Sequence, residues 1–500
     1  MTLLDNKVFL ACGLVCGLLF SGLLLVRTGV VSPPGDPSPA AVLQPAGRLN
    51  PGERWMNIYQ GDRKIGMTRS RLEGLAEGYR LTEKVTMRIN TMGLVQDLAL
   101  DSSGWLKSDL TLARFSFTMQ SGLFTFAARG KVEDNHLVCW IQSGDSEQRL
   151  QIPLDAPLYL PAVIFHAVAR TGLMPGQRRS FTIFDPSTMA REEIVLTLQG
   201  RETIQLGEQR ISALKVLIAF RGVTQEAWLD DGGQVLMEKG LLGIRQVRVS
   251  REEALYGLPM AASGDLTRVA AVVPDRAVEN PAALARLTLH LEGIALDRYP
   301  LDGGRQRLDG RRLTLVREIL DNLPQDFAPS SLTPDLAALQ AASPFVQSDH
   351  RTIQDLAAQL VDPDAAPLAS IRRMVAWMQA NIAKRPVLSL PDALNTLDKR
   401  MGDCNEHAVL LAALARAAGF PAQVEAGLVY HQNRFFYHAW NRVYIGRWLT
   451  VDSLLGQIPA DVTHIRFARG NTHEQLDILP LIGNLQIQVV SMEYTDEPER

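Results

Sequence analysis

A cysteine at the start of an apolar stretch is the residue best suited to chemistry in this chain of 500 residues. Cys404 lies in the segment GDCNEH (402–407), and a run of strong helix formers follows it until Gly419. Asp403 suits the N-cap of this predicted buried helix, and Glu406 lies where a capping box needs its second carboxylate. Cys404 is then the first helical residue, where the helix dipole and free N–H groups favour the nucleophilic thiolate.

Such a thiolate needs a histidine partner, because Asp403 and Glu406 disfavour a further negative charge beside them. The candidates are His407, His431 and His438. The last two belong to segments 423–431, 435–445 and 448–452, which are rich in β-branched and aromatic residues and are separated by short turns. This pattern predicts an antiparallel meander of three strands.

Two registers are possible for the last hairpin. A two-residue loop pairs Ile445 with Trp448 and leaves His438 and Asp452 on opposite faces. A three-residue loop pairs Tyr444 with Trp448 and makes His438 a diagonal neighbour of Asp452 on one face. The apolar pattern favours this second register, in which three apolar residues share the other face: Val443, Leu449 and Val451. The sequence therefore predicts a Cys-His-Asp constellation.

Four motifs follow one another in this region: GDC (402–404), GFPA (419–422), HAW (438–440), and Trp448 leading to the dipeptide VD at 451–452. Their order and spacing resemble the transglutaminase-like superfamily of papain-like cysteine enzymes, over roughly residues 351–470. The resemblance implies that Cys404 is the nucleophile, His438 the base and Asp452 the residue that orients His438. The sequence departs from the family at 441–442, where many members carry a glutamate, and this departure concerns substrate contacts.

The implied activity is acyl transfer from an amide bond of a protein or peptide substrate, without a cofactor or metal. Attack by water on the acyl-enzyme makes a peptidase or amidase, and attack by an amine makes a cross-linking transferase. One rival is a catalytically silent binding or scaffold module of the cell envelope. A second rival is a metal-dependent hydrolase that uses Cys404, His407 and His438.

The N-terminal segment 8–26 is an uncharged apolar run, bounded by Lys7 and Arg27, that is long enough to cross a bilayer. No good cleavage site follows it, so we predict an uncleaved transmembrane anchor at 1–27 and a proline-rich linker at 28–52. The expected location is the inner membrane, single-pass, with the body in the periplasm. Cys12 and Cys16 lie within the anchor, and the remaining Cys139 and Cys404 imply no disulfide framework.

The remaining chain predicts an α+β protein. A hydrophobic fraction of 46% is that of a globular protein, and a formal net charge of −3 without a basic patch argues against a nucleic-acid partner. Residues 53–254 show period-two apolar alternation, with turns expected at 101–104, 133–135 and 230–233 and a short helix near 162–171, which predicts an antiparallel β domain.

The region 255–343 is a connecting region with a possible small β module, built on strands at 287–291 and 313–316, and a helix is expected at 334–342. The transglutaminase-like catalytic domain is expected at 344–495. Apolar spacing predicts helices at 352–361, 368–382 and 390–397. By the resemblance, these helices pack around the cysteine helix.

Overall fold

The computed structural model describes residue 49 and residues 51–495, apart from 144–145, 171, 258–259, 322, 324–331 and 363. The predicted anchor at 8–26 and nearly all of the predicted linker lie outside these described residues. None of the helices in the described ranges has the length and apolar character needed to cross a membrane. The fold there is mixed α and β and rich in antiparallel strands. It divides into two units, and the boundary between them in the sequence lies between Leu266 and Thr267.

The first unit is built on one sheet of fifteen strands. The strands are β1 Gly52–Gln60, β2 Arg63–Leu75, β3 Gly78–Thr91, β4 Leu94–Leu106, β5 Leu112–Ser121, β6 Phe124–Glu133, β7 His136–Ser143, β8 Ser146–Pro153, β9 Leu158–Tyr159, β10 Arg178–Asp185, β11 Ala190–Leu206, β12 Gln209–Phe220, β13 Val223–Leu229, β14 Val235–Lys239 and β15 Ile244–Val249. The helices are α1 Ile164–Arg170, α2 Arg251–Leu255 and α3 Leu266–Ala270, the last at the boundary between the units. Single 3-10 turns occur at Pro161–Val163 and Leu241–Gly243.

Neighbouring strands follow the chain from β8 back to β1, and from β15 back to β9. Strands β1 and β15 join the two series, with Trp55 opposite Val249. Every neighbouring pair is antiparallel except β9 and β10, which are parallel. The predicted antiparallel sheet and the short helix are confirmed in this unit.

Alternating burial explains these strands, since Phe115, Phe117 and Met119 on β5 are buried while the residues between them are not. The predicted turns at 133–135 and 230–233 are confirmed. The predicted turn at 101–104 is wrong, because β4 runs through it and Asp101 pairs with Lys84 across the strands. Gly104 is needed there for packing, since a Cβ on it would lie 2.3 Å from the Leu160 side chain.

The second unit mixes helices with three small sheets. Its strands are β16 Leu284–Glu292, β17 Gln306–Asp309, β18 Arg312–Val316, β19 Ala383–Lys384, β20 Met401–Gly402, β21 Ala422–His431, β22 Arg434–Tyr444, β23 Trp448–Val451, β24 Ile465–Arg469 and β25 Gln486–Tyr494. Its helices are α4 Pro334–Ala338, α5 Arg351–Leu360, α6 Pro367–Asn381, α7 Ala393–Lys399, α8 Cys404–Ala417 and α9 Thr472–Gln475. Its 3-10 turns are Pro281–Ala283, Leu296–Arg298 and Leu476–Leu481.

One four-stranded sheet has the order β17-β18-β16-β25. The predicted strands at 287–291 and 313–316 are therefore confirmed as β16 and β18. Strand β25, from the C-terminal end of the described chain, completes this sheet by pairing with β16. The four predicted helices between 334 and 397 are also confirmed, as α4 to α7.

The other four-stranded sheet has the order β23-β22-β21-β24 and carries the predicted meander. Its register is the second of the two alternatives, with Tyr444 opposite Trp448 and Val443 opposite Leu449. Gly446, in the loop, has φ of 92°, which a side chain would resist. Helix α8 contacts this sheet through Asn441 on β22, whose Nδ2 donates to the carbonyl of Ala408 at 2.9 Å.

Candidate active site

The start of helix α8 is built as a capping box, as predicted. The Asp403 side chain accepts from the backbone N–H of Asn405 at 3.1 Å, and Glu406 Oε2 accepts from the N–H of Asp403 at 3.0 Å. Gly402 is required beside this box, because a Cβ there would lie 2.3 Å from the Cβ of Glu406. Cys404 is thus the first helical residue, and its side chain is fully buried.

His407 lies buried in the first turn of helix α8 and is not part of the carboxylate cluster described below. Its Nδ1 donates to the backbone carbonyl of Asp403 at 2.8 Å. Burial lowers the pKa of His407 to about 4, although the bond to Asp403 opposes this change. The ring is therefore neutral at neutral pH, as a hydrogen-bonded core histidine would be.

His438, on β22, contacts Asp452, the residue after β23. Nε2 of His438 lies 2.6 Å from Oδ2 of Asp452, and both side chains are buried. Nδ1 of His438 has no hydrogen-bond partner among the described residues. Because a carboxylate can only accept, Nε2 carries the proton and Nδ1 of the neutral ring offers a lone pair. The Trp440 ring stacks on this imidazole, with centroids 6.0 Å apart.

The Asp452 carboxylate is held on both oxygens. Oδ1 accepts from the N–H of Leu455 at 2.8 Å, and Oδ2 also contacts Nε2 of His464 at 3.0 Å. Burial alone would raise the pKa of Asp452. The charges and hydrogen bonds of His438 and His464 outweigh burial and hold this pKa well below its usual range. Asp452 is therefore a carboxylate at neutral pH.

His464 is a member of this cluster that the sequence reasoning missed. Its Nδ1 lies 3.1 Å from Oδ1 of Asp461, so both ring nitrogens face carboxylates and both must donate. Burial opposes the charge, but Asp461 and Asp452 prevail and raise the pKa of His464 to about 9. His464 directly precedes β24, and the alternation of Ile465 and Phe467 was the available signal for that strand.

Three of these groups have the spacing of a metal site. The ligand atoms of His438, Asp452 and His464 lie within 4.8 Å of one another, the one such cluster in the described part of the chain. The contacts of 2.6 and 3.0 Å are hydrogen-bond lengths. Two donors on one tetrahedral zinc lie roughly 3.3 Å apart. The spacing thus fits shared protons better than a shared ion, and His407 of the metal alternative is not in the cluster.

Asn441, where the sequence departs from the family pattern, bonds helix α8 through the carbonyl of Ala408. A buried carboxylate nearby is that of Glu425 on β21, which lies opposite Trp440 on β22. Glu425 accepts from Nε1 of Trp440 at 3.0 Å and from Nη2 of Arg469 at 2.7 Å. This network fixes the ring that stacks on His438.

Comparison with known proteins assigns a family to this region. Residues 354–453 match the family model of the transglutaminase-like superfamily. No curated protein sequence matches the chain.

Three solved structures show weak similarity. A β-barrel-like protein of domain of unknown function DUF1849 from Brucella abortus is 15% identical, with 41% of this chain and 98% of that chain covered and a TM-score of 0.34. A protein from Cytophaga hutchinsonii, named as a proposed cysteine protease, is 16% identical over 44% of this chain and 88% of its own, with a TM-score of 0.28. A DUF1089 family protein from Pseudomonas aeruginosa is 15% identical over 34% of this chain and 87% of its own, with a TM-score of 0.23. Similarities this weak say nothing about activity.

The matched residues include the start of helix α8, strand β22 and the residue after β23. The region 354–453, which contains Cys404, His438 and Asp452, is therefore a domain of the transglutaminase-like superfamily.

Proposed function

We propose that this protein is a cysteine acyl-transfer enzyme that acts on amide bonds of a protein or peptide substrate. The proposed triad is Cys404, His438 and Asp452. The observation that carries the proposal is the hydrogen bonding of the His438 ring: its Nε2–H donates to Asp452, and its Nδ1 has no partner among the described residues. A transglutaminase-like domain at 354–453 supports it.

The proposed reaction has two stages. Sγ of Cys404 attacks the amide carbonyl carbon, its proton passes to Nδ1 of His438, and the leaving amine takes that proton as the C–N bond breaks. The backbone N–H of Cys404, at the helix start, donates to the oxyanion. Asp452 fixes the tautomer of His438 and stabilises the imidazolium. Water or a second amine then attacks the thioester carbon and gives a proton to Nδ1 of His438. The C–S bond breaks, and His438 returns that proton to Sγ of Cys404.

We favour hydrolysis of a peptide or isopeptide bond in the cell envelope. The proposal includes the membrane anchor at 8–26 and a body in the periplasm. It also includes the five predicted regions of the chain, the first four of which end at residues 27, 52, 254 and 343. A catalytically silent scaffold module is the alternative, and the retention of all three triad residue types argues against it.

The deciding experiment compares full-length wild type with Cys404→Ala on a panel of fluorogenic peptide amides and esters. We expect turnover to fall at least about a thousandfold, because the nucleophile is removed while one buried sulfur costs little packing. Cys139→Ala is the matched control, since that buried thiol lies on β7 and burial raises its pKa to about 12. Thermal unfolding of each variant verifies the fold.

Unchanged turnover in Cys404→Ala contradicts the assignment of the nucleophile. If wild type turns over no substrate, and iodoacetamide alkylates Cys404 no faster than Cys139, the scaffold alternative is favoured.

A further inference from the structure

A groove of about 1020 Å³ lies in the second unit beside the candidate triad. One part of its wall is formed by Lys384, Arg385 and Arg400. Another part is formed by Leu455 and Gln457. A groove of this volume can hold several residues of an extended peptide.

Both parts of the wall are joined directly to the triad. Lys384 pairs with Gly402 in the short parallel ladder of β19 and β20, and the N–H of Arg385 donates to the carbonyl of Gly402 at 3.0 Å. Gly402 precedes Cys404 by two residues. On the other side, the N–H of Leu455 bonds the Asp452 carboxylate. The groove is thus bounded by the segments that precede the nucleophile and follow the aspartate.

One part of the groove wall carries three cationic side chains. Within the described residues, no carboxylate lies within ion-pair distance of Lys384, Arg385 or Arg400. Lys384 donates instead to Oε1 of Gln379 at 2.7 Å, and Arg400 lies over the Trp377 ring at 4.9 Å. Burial lowers the pKa of Lys384, and the charge of Asp452 opposes this change from beyond ion-pair distance. The groove also contains the Asp461 carboxylate, which His464 binds.

We infer that this groove binds the acyl donor, and that the donor is an anionic peptide whose carboxylates lie along the wall formed by Lys384, Arg385 and Arg400. The substrate class rests on the proposed function, whereas anion binding by the groove does not. Unpaired cations along a cleft attract and orient a substrate of opposite charge, and their effect weakens as salt screens it.

The test uses two rhodamine-labelled peptides, Ala-Glu-Gln-Glu-Ala and Ala-Gln-Gln-Gln-Ala, and full-length protein with Cys404→Ala to prevent turnover. Fluorescence anisotropy gives the two dissociation constants at 50 mM salt. We expect the acidic peptide to bind about tenfold more tightly, and the ratio to approach one at 0.5 M salt, where the Debye length falls to roughly 4 Å.

Charge reversal in the groove gives the matched comparison. We expect Arg385→Glu to reduce the tenfold ratio at least threefold. Arg400→Gln, which removes one positive charge from the wall without adding a negative one, should also reduce the ratio. Arg372→Glu is the control, because it changes the net charge equally from an exposed position on α6 outside the groove. Arg385 is exposed and makes no ring contact with any residue that the structure describes. We therefore expect its replacement to leave the fold intact, even if Arg400→Gln loosens the packing of Trp377.

Equal affinity of the two peptides, no binding of either, or an equal loss in Arg372→Glu overturns the inference. Turnover by wild type separates the two proposals. Tight binding of the acidic peptide without any turnover contradicts the proposed enzymatic function and supports anion binding by the groove. Turnover of both peptides at the same rate, with equal affinities, supports the enzymatic function and contradicts anion binding by the groove.

Discussion

The Asp452 carboxylate contacts two imidazoles, and these two rings have different surroundings. Nδ1 of His438 has no hydrogen-bond partner among the described residues, whereas His464 lies between Asp452 and Asp461, whose charges raise the pKa of His464 to about 9. His438 and His464 bond the same oxygen of Asp452, and their imidazole centroids are 5.7 Å apart. His464 is therefore a positioning residue that holds the Asp452 carboxylate in place beside His438.

We expect His464→Gln to lower kcat for a fluorogenic amide by about tenfold, because Asp452 loses a charge-assisted hydrogen bond and is held less firmly beside His438. KM should change little, because His464 is buried behind the carboxylate and lies outside the groove. Separate values of kcat and KM at pH 7 measure the effect.

His473→Gln, on α9, serves as the control and should leave kcat and KM unchanged. An equal kcat in wild type and His464→Gln would show that His464 does not position Asp452 for catalysis.

At the scale of secondary structure, the candidate nucleophile depends on how helix α8 begins. The Glu406 side chain turns back over Gly402 to reach the N–H of Asp403, and Ser389 donates to the same carboxylate. A backbone without a side chain at 402 is therefore a condition for the capping box and for the position of Cys404.

We expect Gly402→Ala to destabilise the second unit by about 2 kcal/mol or more, because its Cβ would lie 2.3 Å from the Cβ of Glu406 and neither backbone can yield cheaply. The midpoint of urea unfolding and the rate of Cys404 alkylation measure the two consequences. Gly52→Ala, where a Cβ meets nothing within 4 Å, should change the midpoint little. A stable Gly402→Ala protein with unaltered alkylation would contradict this view of the helix start.

At the scale of the whole molecule, buried histidines in opposite states make stability depend on pH. His407 has a folded pKa of about 4, below the unfolded value of roughly 6.5, so the unfolded state takes up the proton first. Stability is then lost as the pH falls from 6.5 towards 4. His464 has a folded pKa of about 9, so its contribution is complete below pH 6.5 and is lost as the pH rises towards 9.

We therefore expect the free energy of unfolding to be greatest near pH 6.5, with each limb changing by up to about 1.4 kcal/mol per pH unit. The depressed pKa values of Asp452 and Asp461 add a further loss below roughly pH 4. Urea unfolding across pH 4–9 measures the curve. His407→Gln should flatten the acid limb and His464→Gln the alkaline limb, and a variant that flattens the opposite limb would refute the assignment.

Local chemistry along the sequence was sufficient for much of the site. The capping box, the helix that starts at Cys404 and the register of the hairpin at Gly446 all depend on residues within about ten positions of one another, so their patterns could be read directly. The roles of Cys404, His438 and Asp452 stay a prediction, although the contact between the last two follows from that register. The turn predicted at 101–104 failed because polar residues and a glycine also suit a strand whose neighbours supply an ion pair and close packing.

Only the tertiary structure decided which distant segments meet. Strand β24 pairs with β21 and brings His464 to Asp452. Strand β25 lies near the C-terminal end of the second unit and pairs with β16, which lies near its N-terminal end. The pairing of β1 with β15 and the groove lined by Lys384, Arg385 and Arg400 also depend on segments that are far apart in the sequence. Pairing between remote strands depends on the total burial and hydrogen bonding of the folded chain, and no local pattern at 284 or 465 records the partner. The sequence by itself therefore determined the helix and strands that carry Cys404, His438 and Asp452, whereas long-range packing decided that His464 contacts Asp452 and that a groove lies nearby.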